Sequence, residues 1–354
     1  MKKIKSVSEY LTRVAEICDN FPQKNEVIVF RGEPQVYSTC GMPGIFREKY
    51  LKNDSFFEKN ILLEMKANKL SNGNNYLEMA IDAQHGGFPS RLLDVSFNCL
   101  IALYFACVSK PENRESEKEE PGQVIIYKMN RAYCPTAANV INTYNEMLNN
   151  PNGYINERIF ATNHKLIDHI KVNSRIIAQQ GALILFQGNE WEPIPRRLYK
   201  TIRIEKDYKN IIAMQLDKYF GINTSFVYPE IDYAVDRIKN KAKNISSEEF
   251  SIGSEINMSL DKIREAIQFE LTIIAEESDK TARIDKVRTL EKIIRRYKED
   301  LVNLGNKYKL ENKNEIAEKY NSVVEYYSQI FIYYLGDDVK ACADDLKMED
   351  GKWE

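Results

Sequence analysis

This sequence lacks several features that mark common classes of protein. Its formal net charge is only −2, which argues against a strongly basic nucleic-acid binder. No apolar run reaches the roughly 18 residues that a membrane-spanning helix needs. The six cysteines are scattered, with no Cys-x-x-Cys pair. We therefore expect a reducing cytoplasmic location, no disulfides and no structural zinc site.

Motifs of several large enzyme classes are also missing. There is neither a Walker loop nor a Gly-x-Gly-x-x-Gly fingerprint, and Ser96 lacks the Gly-x-Ser-x-Gly elbow of a hydrolase nucleophile. His164 and His169 have no nearby acidic pair, so we expect no metal. The chain is nevertheless 43% hydrophobic over 354 residues, which is enough for two domains with sizeable cores.

The hydrophobic pattern changes near residue 245 and divides the chain into two predicted domains. Residues 1–243 mix apolar strands with amphipathic helices, which predicts an α+β domain. Residues 244–354 show three amphipathic helical stripes without a proline, so we predict an all-α bundle there. These stripes suit packing against each other, or contact with a protein partner or a second copy of the chain.

Within the first domain, periodicity predicts the elements that surround a possible site. Strands are predicted at residues 27–30, 92–95, 123–127, 182–186 and, as an edge strand, 196–204. Helices are predicted at residues 6–19, 56–70, 76–83, 100–108, 211–220 and 231–241. Gly221 is expected to end one of these helices, and residues 226–230 are expected to be extended.

The most informative stretch is residues 84–107, where His85, Arg91 and Asp94 surround a Gly-Gly turn and a short strand before a very apolar helix. Polar groups at the mouth of a buried strand–helix unit are costly unless they bind something or each other. His85 could act as an acid or base near neutral pH, or be a satisfied buried histidine. Alternation puts Arg91 and Asp94 on opposite faces of the strand, so one should hold the scaffold while the other faces a pocket.

Two further segments complete the candidate site. Arg31 follows four apolar residues and should emerge at the end of a strand. Its guanidinium could bind an anion there or form an ion pair, for example with Asp94. Gln179 and Gln180 precede another apolar strand, and their amides could hold nicotinamide or the edge of a base.

Together these segments resemble the FRG domain, a family named after its Phe-Arg-Gly motif. The likeness rests on Phe30-Arg31-Gly32, Gln84-His85-Gly86-Gly87-Phe88-Pro89-Ser90-Arg91-Leu92-Leu93-Asp94, Ala102-Leu103-Tyr104-Phe105-Ala106, Arg175-x-x-Ala178-Gln179-Gln180-Gly181-Ala182, Gly221-Ile222 and Tyr228-Pro229-Glu230-Ile231-Asp232. It spans residues 5–243 approximately, and Gly87 stands where the family usually has a larger residue. The family is common in bacteria, often in phage-related or defence neighbourhoods, so the resemblance implies a toxin-like or defence effector.

A second, weaker resemblance supplies a chemistry. Mono-ADP-ribosyltransferases of the Arg–Ser–Glu class have an aromatic-Arg-Gly motif, a Ser-Thr-Ser strand followed by a helix, and a Glu-x-Glu before an apolar strand. Phe30-Arg31-Gly32, residues 92–106 with Ser96, and Gln179-Gln180 are similar to these motifs in the same order. The resemblance implies an ADP-ribosyltransferase-like fold of mixed and antiparallel sheets with surrounding helices, and NAD as the substrate.

On this reading, two groups of residues would share one cleft. Those expected to bind NAD are Arg31, Gly32, Arg91, Ser96 and Gln179; those expected at the reacting ribose are His85, Asp94, Gln180 and Glu230. Breaking the nicotinamide–ribose bond builds an oxocarbenium ion, which a neighbouring anion should stabilise. Glutamine cannot supply that charge, so one of several carboxylates would have to do so, namely Asp94, Glu190, Glu192 or Glu230.

Two other functions stay open at this point. The FRG domain could be a binding module without catalysis, which senses a ligand or a phage protein and relays the signal through the helical domain. RNA binding or cleavage, with His85 and the arginines at a phosphodiester, is less favoured because the total charge is close to zero.

Overall fold

The structure of this protein is a computed structural model that describes residues 3–21, 26–108, 120–168, 174–243, 245, 251–309, 313–335 and 345–348. The chain divides into two units, Met1–Asn244 and Ile245–Glu354. No helix in the described ranges is both long and apolar enough to cross a membrane.

The described part of the first unit contains one mixed sheet of seven strands. The strands are β1 (Val27–Glu33), β2 (Leu92–Ser96), β3 (Gly122–Met129), β4 (Ala132–Tyr133), β5 (Lys165–Asp168), β6 (Gly181–Leu185) and β7 (Tyr199–Ile204). Their order across the sheet is β4-β5-β6-β2-β1-β3-β7. The β4–β5 pair is parallel and the other pairs are antiparallel. The predicted α+β class is therefore confirmed, and β7 is an edge strand as expected.

Helices surround this sheet. They are α1 (Val7–Asp19), α2 (Gly44–Arg47), α3 (Tyr50–Asn53), α4 (Phe57–Ala67), α5 (Tyr76–His85), α6 (Cys99–Cys107), α7 (Ala138–Asn149), α8 (Arg158–Ala161), α9 (Ser174–Gln179), α10 (Lys206–Phe220), α11 (Thr224–Val227) and α12 (Ile231–Ala242). Gly221 ends α10 in the left-handed conformation, as predicted. The prediction of an extended segment at residues 226–230 is wrong for Phe226 and Val227, which belong to α11. The Asn223 side chain accepts a hydrogen bond from the backbone N–H of Phe226 and so caps the start of this helix.

Helix α6 packs directly on β1 because Gly32 has no side chain. A Cβ at this position would lie 1.8 Å from the carbonyl oxygen of Ala102 and 2.7 Å from the backbone nitrogen of Ala106. The helix itself is apolar on nearly every face, which is typical of a fully buried helix. Gly32 therefore brings the strand end that carries Arg31 against the helix that follows β2.

Strands β1 and β2 are neighbours in the sheet but are paired at one position. Their register contains the single pair Phe30 and Ser96, whereas β1 pairs with β3 along its whole length. Beyond Phe30, the β1 residues Arg31 to Glu33 face the early part of β2 across a gap. This gap in the sheet is where the candidate site lies.

The described part of the second unit contains three long helices, α13 (Ile252–Glu276), α14 (Lys280–Lys307) and α15 (Lys313–Leu335). The apolar stripe predicted in α13 is buried in their common core, namely Leu260, Ile263, Ile267, Leu271 and Ile274. Leu304, near the end of α14, is 38% exposed, although its spacing of three residues from Leu301 in the apolar stripe of this helix predicts a buried position. Tyr320 and Tyr327 of α15 are buried and donate their hydroxyl protons to the backbone carbonyls of Ile294 and Val287 on α14.

Candidate functional site

A cleft of about 490 Å³ opens where β1 and β2 separate. Its wall is formed by the ends of these strands, by helix α6, and by the segment from Pro34 to Tyr50. Three arginines and three carboxylates line it, namely Arg31, Arg47, Arg175, Glu33, Glu48 and Asp94. The cleft therefore carries both signs of charge, with apolar and aromatic side chains between them.

Arg31 lies at the centre of the gap in the sheet. Its Nε donates to Glu33 Oε1 at 3.0 Å and its Nη1 donates to the backbone carbonyl of Asp94 at 2.8 Å. Burial alone would lower the pKa of Arg31, but the carboxylates of Glu33 and Asp94 outweigh this effect and raise the pKa above its usual value. The guanidinium is thus a permanent cation that bridges the two separated strands.

Glu33 is a buried carboxylate in this site that the sequence reasoning missed. Its side chain is 2% exposed. Besides Arg31, it accepts hydrogen bonds from the backbone N–H of Gly41 at 3.2 Å and from Gln123 Nε2 at 2.9 Å. The signal was available, because residues two apart on a strand point to the same face. Glu33 therefore connects the Arg31 guanidinium to strand β3 and to the segment from Pro34 to Tyr50 in the cleft wall.

Asp94 presents its carboxylate to the cleft. Its residue is exposed although the other four residues of β2 are buried. Oδ2 accepts a hydrogen bond from Gln84 Nε2 at 2.8 Å, and Gln84 Oε1 in turn accepts one from Ser90 Oγ at 2.7 Å. The described contacts therefore hold one oxygen of this carboxylate toward helix α5.

Ser96 and Gln179 lie on the cleft wall, where they join β2 to helices α9 and α11. Ser96 Oγ donates to the backbone carbonyl of Gln179 at 2.7 Å and accepts from the backbone N–H of Asn98 at 2.9 Å. Gln179 Nε2 donates to the carbonyl of Val227 at 3.0 Å. Both side chains thus stabilise the backbone of the wall.

An aromatic and cationic cluster forms another part of the wall. The Arg175 guanidinium carbon lies 4.7 Å from the centre of the Tyr228 ring, a cation–π arrangement. The Phe105 ring meets Tyr228 edge to face, with 6.3 Å between the ring centres. The sequence motifs contain these residues, but their role as cleft lining was not predicted.

Arg91 does not line the cleft, although it was expected to bind the cofactor. Its side chain is fully buried and pairs with the buried Glu58 of α4, with 2.5 Å between Nε and Oε2. Nη1 also donates to the backbone carbonyl of Gly188 at 3.2 Å, and Glu58 Oε1 accepts from the hydroxyl of Tyr144 at 2.9 Å. The predicted division between opposite faces holds, with Arg91 in the scaffold and Asp94 in the cleft.

Two other predicted site residues, Gln180 and Glu230, are not among the residues that line the cleft. Gln180 is exposed and adopts a left-handed backbone conformation with φ of 46° just after α9. Glu230 is exposed, with its Oε1 3.9 Å from Arg175 Nη1. His85 is the last residue of α5, but its side chain lies outside what the structure describes. Among the described residues, no group of three or more His, Cys, Asp or Glu is placed to hold a metal ion.

Comparison with known families identifies one region of the chain. Residues 26–115 match the family model of the FRG domain, so the protein carries an FRG domain in this segment. The matched segment contains β1, β2 and α6, and with them Arg31 and Asp94. No curated protein and no solved structure matches this chain.

Proposed function

We propose that the cleft binds NAD or a closely related nucleotide and that the protein acts as an ADP-ribosyltransferase-like enzyme. The three segments similar to the transferase motifs lie on the neighbouring strands β1 and β2 and just before β6. A phosphate-binding cation, a carboxylate and an amide would therefore come together at one opening in the sheet. This convergence supports an ADP-ribosyltransferase-like fold for the first unit.

The observation that carries the proposal is the exposed carboxylate of Asp94 beside the bridging cation Arg31. Arg31 would attract the pyrophosphate of NAD through Nη2, which takes no part in its bonds to Glu33 and Asp94. Asp94 would stabilise the positive charge that develops on the ribose.

The proposed reaction breaks the bond between ribose C1′ and the nicotinamide nitrogen. The bonding electron pair leaves with nicotinamide, which departs as a neutral molecule. Water or an acceptor nucleophile then forms a new bond to C1′ and loses its proton. Because neither Gln179 nor Gln180 can carry a negative charge, Asp94 takes the role of the missing glutamate, and Glu230 is the alternative carboxylate.

The direct test is the release of nicotinamide from NAD by the purified protein, followed by chromatography. Asp94→Asn keeps the size of the side chain but removes its charge, so it should lower the rate by about 100-fold or more. Asp19→Asn, at the exposed end of α1, is the matched control and should leave the rate unchanged. If Glu230→Gln abolishes release while Asp94→Asn does not, the carboxylate has been assigned to the wrong residue.

Consumption of NAD would also explain how this protein would act as a toxin-like or defence effector. Expression of the wild-type protein should then lower cellular NAD and slow growth, whereas Asp94→Asn should do neither at equal expression. Growth arrest that is the same for both proteins, with NAD unchanged, would contradict this part of the proposal.

A second function is favoured by one observation, namely that Gln179 and Arg31 already make internal hydrogen bonds. In this alternative the cleft is a sensor that binds a nucleotide without turning it over, and the helical second unit contacts a partner. Millimolar NAD would then raise the unfolding temperature without any release of nicotinamide. If NAD neither stabilises the protein nor is consumed, NAD is not the ligand.

A further inference from the structure

The side chain of Gln84 connects the cleft carboxylate to a buried serine. Gln84 lies near the end of α5, and its Nε2 donates to Asp94 Oδ2 at 2.8 Å. Its Oε1 accepts the hydroxyl proton of Ser90 at 2.7 Å. A helix and the following strand are therefore joined through one amide group.

The Asp94 carboxylate determines which way this amide points, and Ser90 stabilises that orientation. The serine is 1% exposed, and its Oγ also accepts a hydrogen bond from the backbone N–H of Leu92 at 3.2 Å. Turning the amide over would place Gln84 Oε1 against the carboxylate of Asp94 and its NH₂ against the hydroxyl of Ser90. Two acceptors would then face each other, which is unfavourable because a carboxylate can only accept.

We propose that Gln84, held by Ser90, is the positioning residue of Asp94. It binds Oδ2 and turns that oxygen toward α5, so that Oδ1 is directed to the ligand in the cleft. A carboxylate held in this way needs no reorganisation when positive charge develops beside it. The inference rests on the proposed function, in which Asp94 supplies the charge, but the hydrogen-bonded chain itself does not depend on NAD.

The first experiment therefore uses no ligand. The side-chain amide of Gln84 gives a pair of resonances in nitrogen–proton NMR spectra, identified by their loss in Gln84→Glu. Asp94→Asn and Ser90→Ala should both shift this pair, because each removes one of its two partners. Ser71→Ala, which removes another buried serine that donates to Asp82 in the same unit, should leave it in place. If the Gln84 amide resonances are unchanged in both Asp94→Asn and Ser90→Ala, Gln84 does not position Asp94 and the inference is overturned.

The second experiment measures turnover of NAD. Gln84→Ala should lower kcat by about 100-fold with little change in KM, because the ligand still binds while the carboxylate is misplaced. Ser90→Ala should lower kcat less, and the double variant should be no slower than Gln84→Ala, since both act through the same amide. Additive losses, or a rise in KM alone, would overturn the inference.

A matched control separates positioning from general damage to the fold. Ser71→Ala should lose about as much thermal stability as Ser90→Ala but keep its kcat. If the wild-type protein releases no nicotinamide, the proposed function fails, and the NMR comparison still decides whether Gln84 orients Asp94.

Discussion

Replacement of Arg91 by Met should destabilise the first unit strongly and have no specific effect on ligand binding. The guanidinium is fully buried and so is its partner Glu58. The substitution removes the hydrogen bond from Arg91 Nε to Glu58. The hydroxyl of Tyr144 and the backbone N–H of residue 91 still donate to the Glu58 carboxylate. A buried charge that has lost its ionic partner costs about 3–5 kcal/mol.

The expected change in unfolding temperature follows from the size of the unit. Met1–Asn244 is at the upper end of single-domain sizes, for which 1 kcal/mol shifts the midpoint by roughly 2–4 °C. Arg91→Met should therefore lower the midpoint by about 6–20 °C.

Calorimetry of the full chain at neutral pH measures this loss. Arg13→Met is the matched control, because it removes an exposed ion pair with Glu16, and such pairs contribute about 0–1 kcal/mol. The double variant Glu58→Met with Arg91→Met should recover part of the loss, since no unpaired charge is then buried. The structural role of Arg91 would be refuted if the single variant kept the wild-type midpoint while NAD binding was lost.

Three further predictions concern packing, pH and thiol reactivity. Gly32→Ala should lower the unfolding midpoint because the added methyl group overlaps the backbone of α6; an unchanged midpoint would refute the close contact. Burial lowers the pKa of His164 to about 4, below its value of about 6.5 in an unfolded chain. Stability should therefore fall as the pH drops from about 6.5 toward 4, and fall less in His164→Gln, as measured by urea unfolding. Iodoacetamide should label Cys134 first, since it is exposed and a hydrogen bond from a neighbouring threonine hydroxyl lowers its pKa. Burial raises the pKa of Cys107 to about 12, and peptide mapping in a Cys342→Ser background should find it unlabelled.

Much of the fold was predictable because its signals are local. The apolar run before Arg31 predicted β1, the apolar segment after Asp94 predicted α6, and Gly221 predicted the end of α10. Each of these predictions depends on residues that are close together in the sequence, within one or two helical turns or a few positions along a strand. Residues 226–230 show where this fails, because the cap at Asn223 outweighed the β-branched and aromatic character of the segment.

The site was only partly predictable. Alternation along β2 correctly separated Arg91 from Asp94 but could not say which of them faced the cleft. That choice depends on Glu58, 33 residues away, which pairs with Arg91 in the interior. Glu33 was overlooked for a similar reason, since its partner Gln123 is 90 residues away.

The sequence by itself determined the α+β class, the FRG motifs and the main strands and helices of the first unit, because periodicity and capping act over short distances. Only the tertiary structure decided that β1 and β2 separate beyond Phe30 and that Arg31 bridges the gap. It also decided that Arg91 is internal and that Gln84 holds Asp94. Such pairings join residues from different elements, and their energies depend on burial and geometry that a local pattern does not contain.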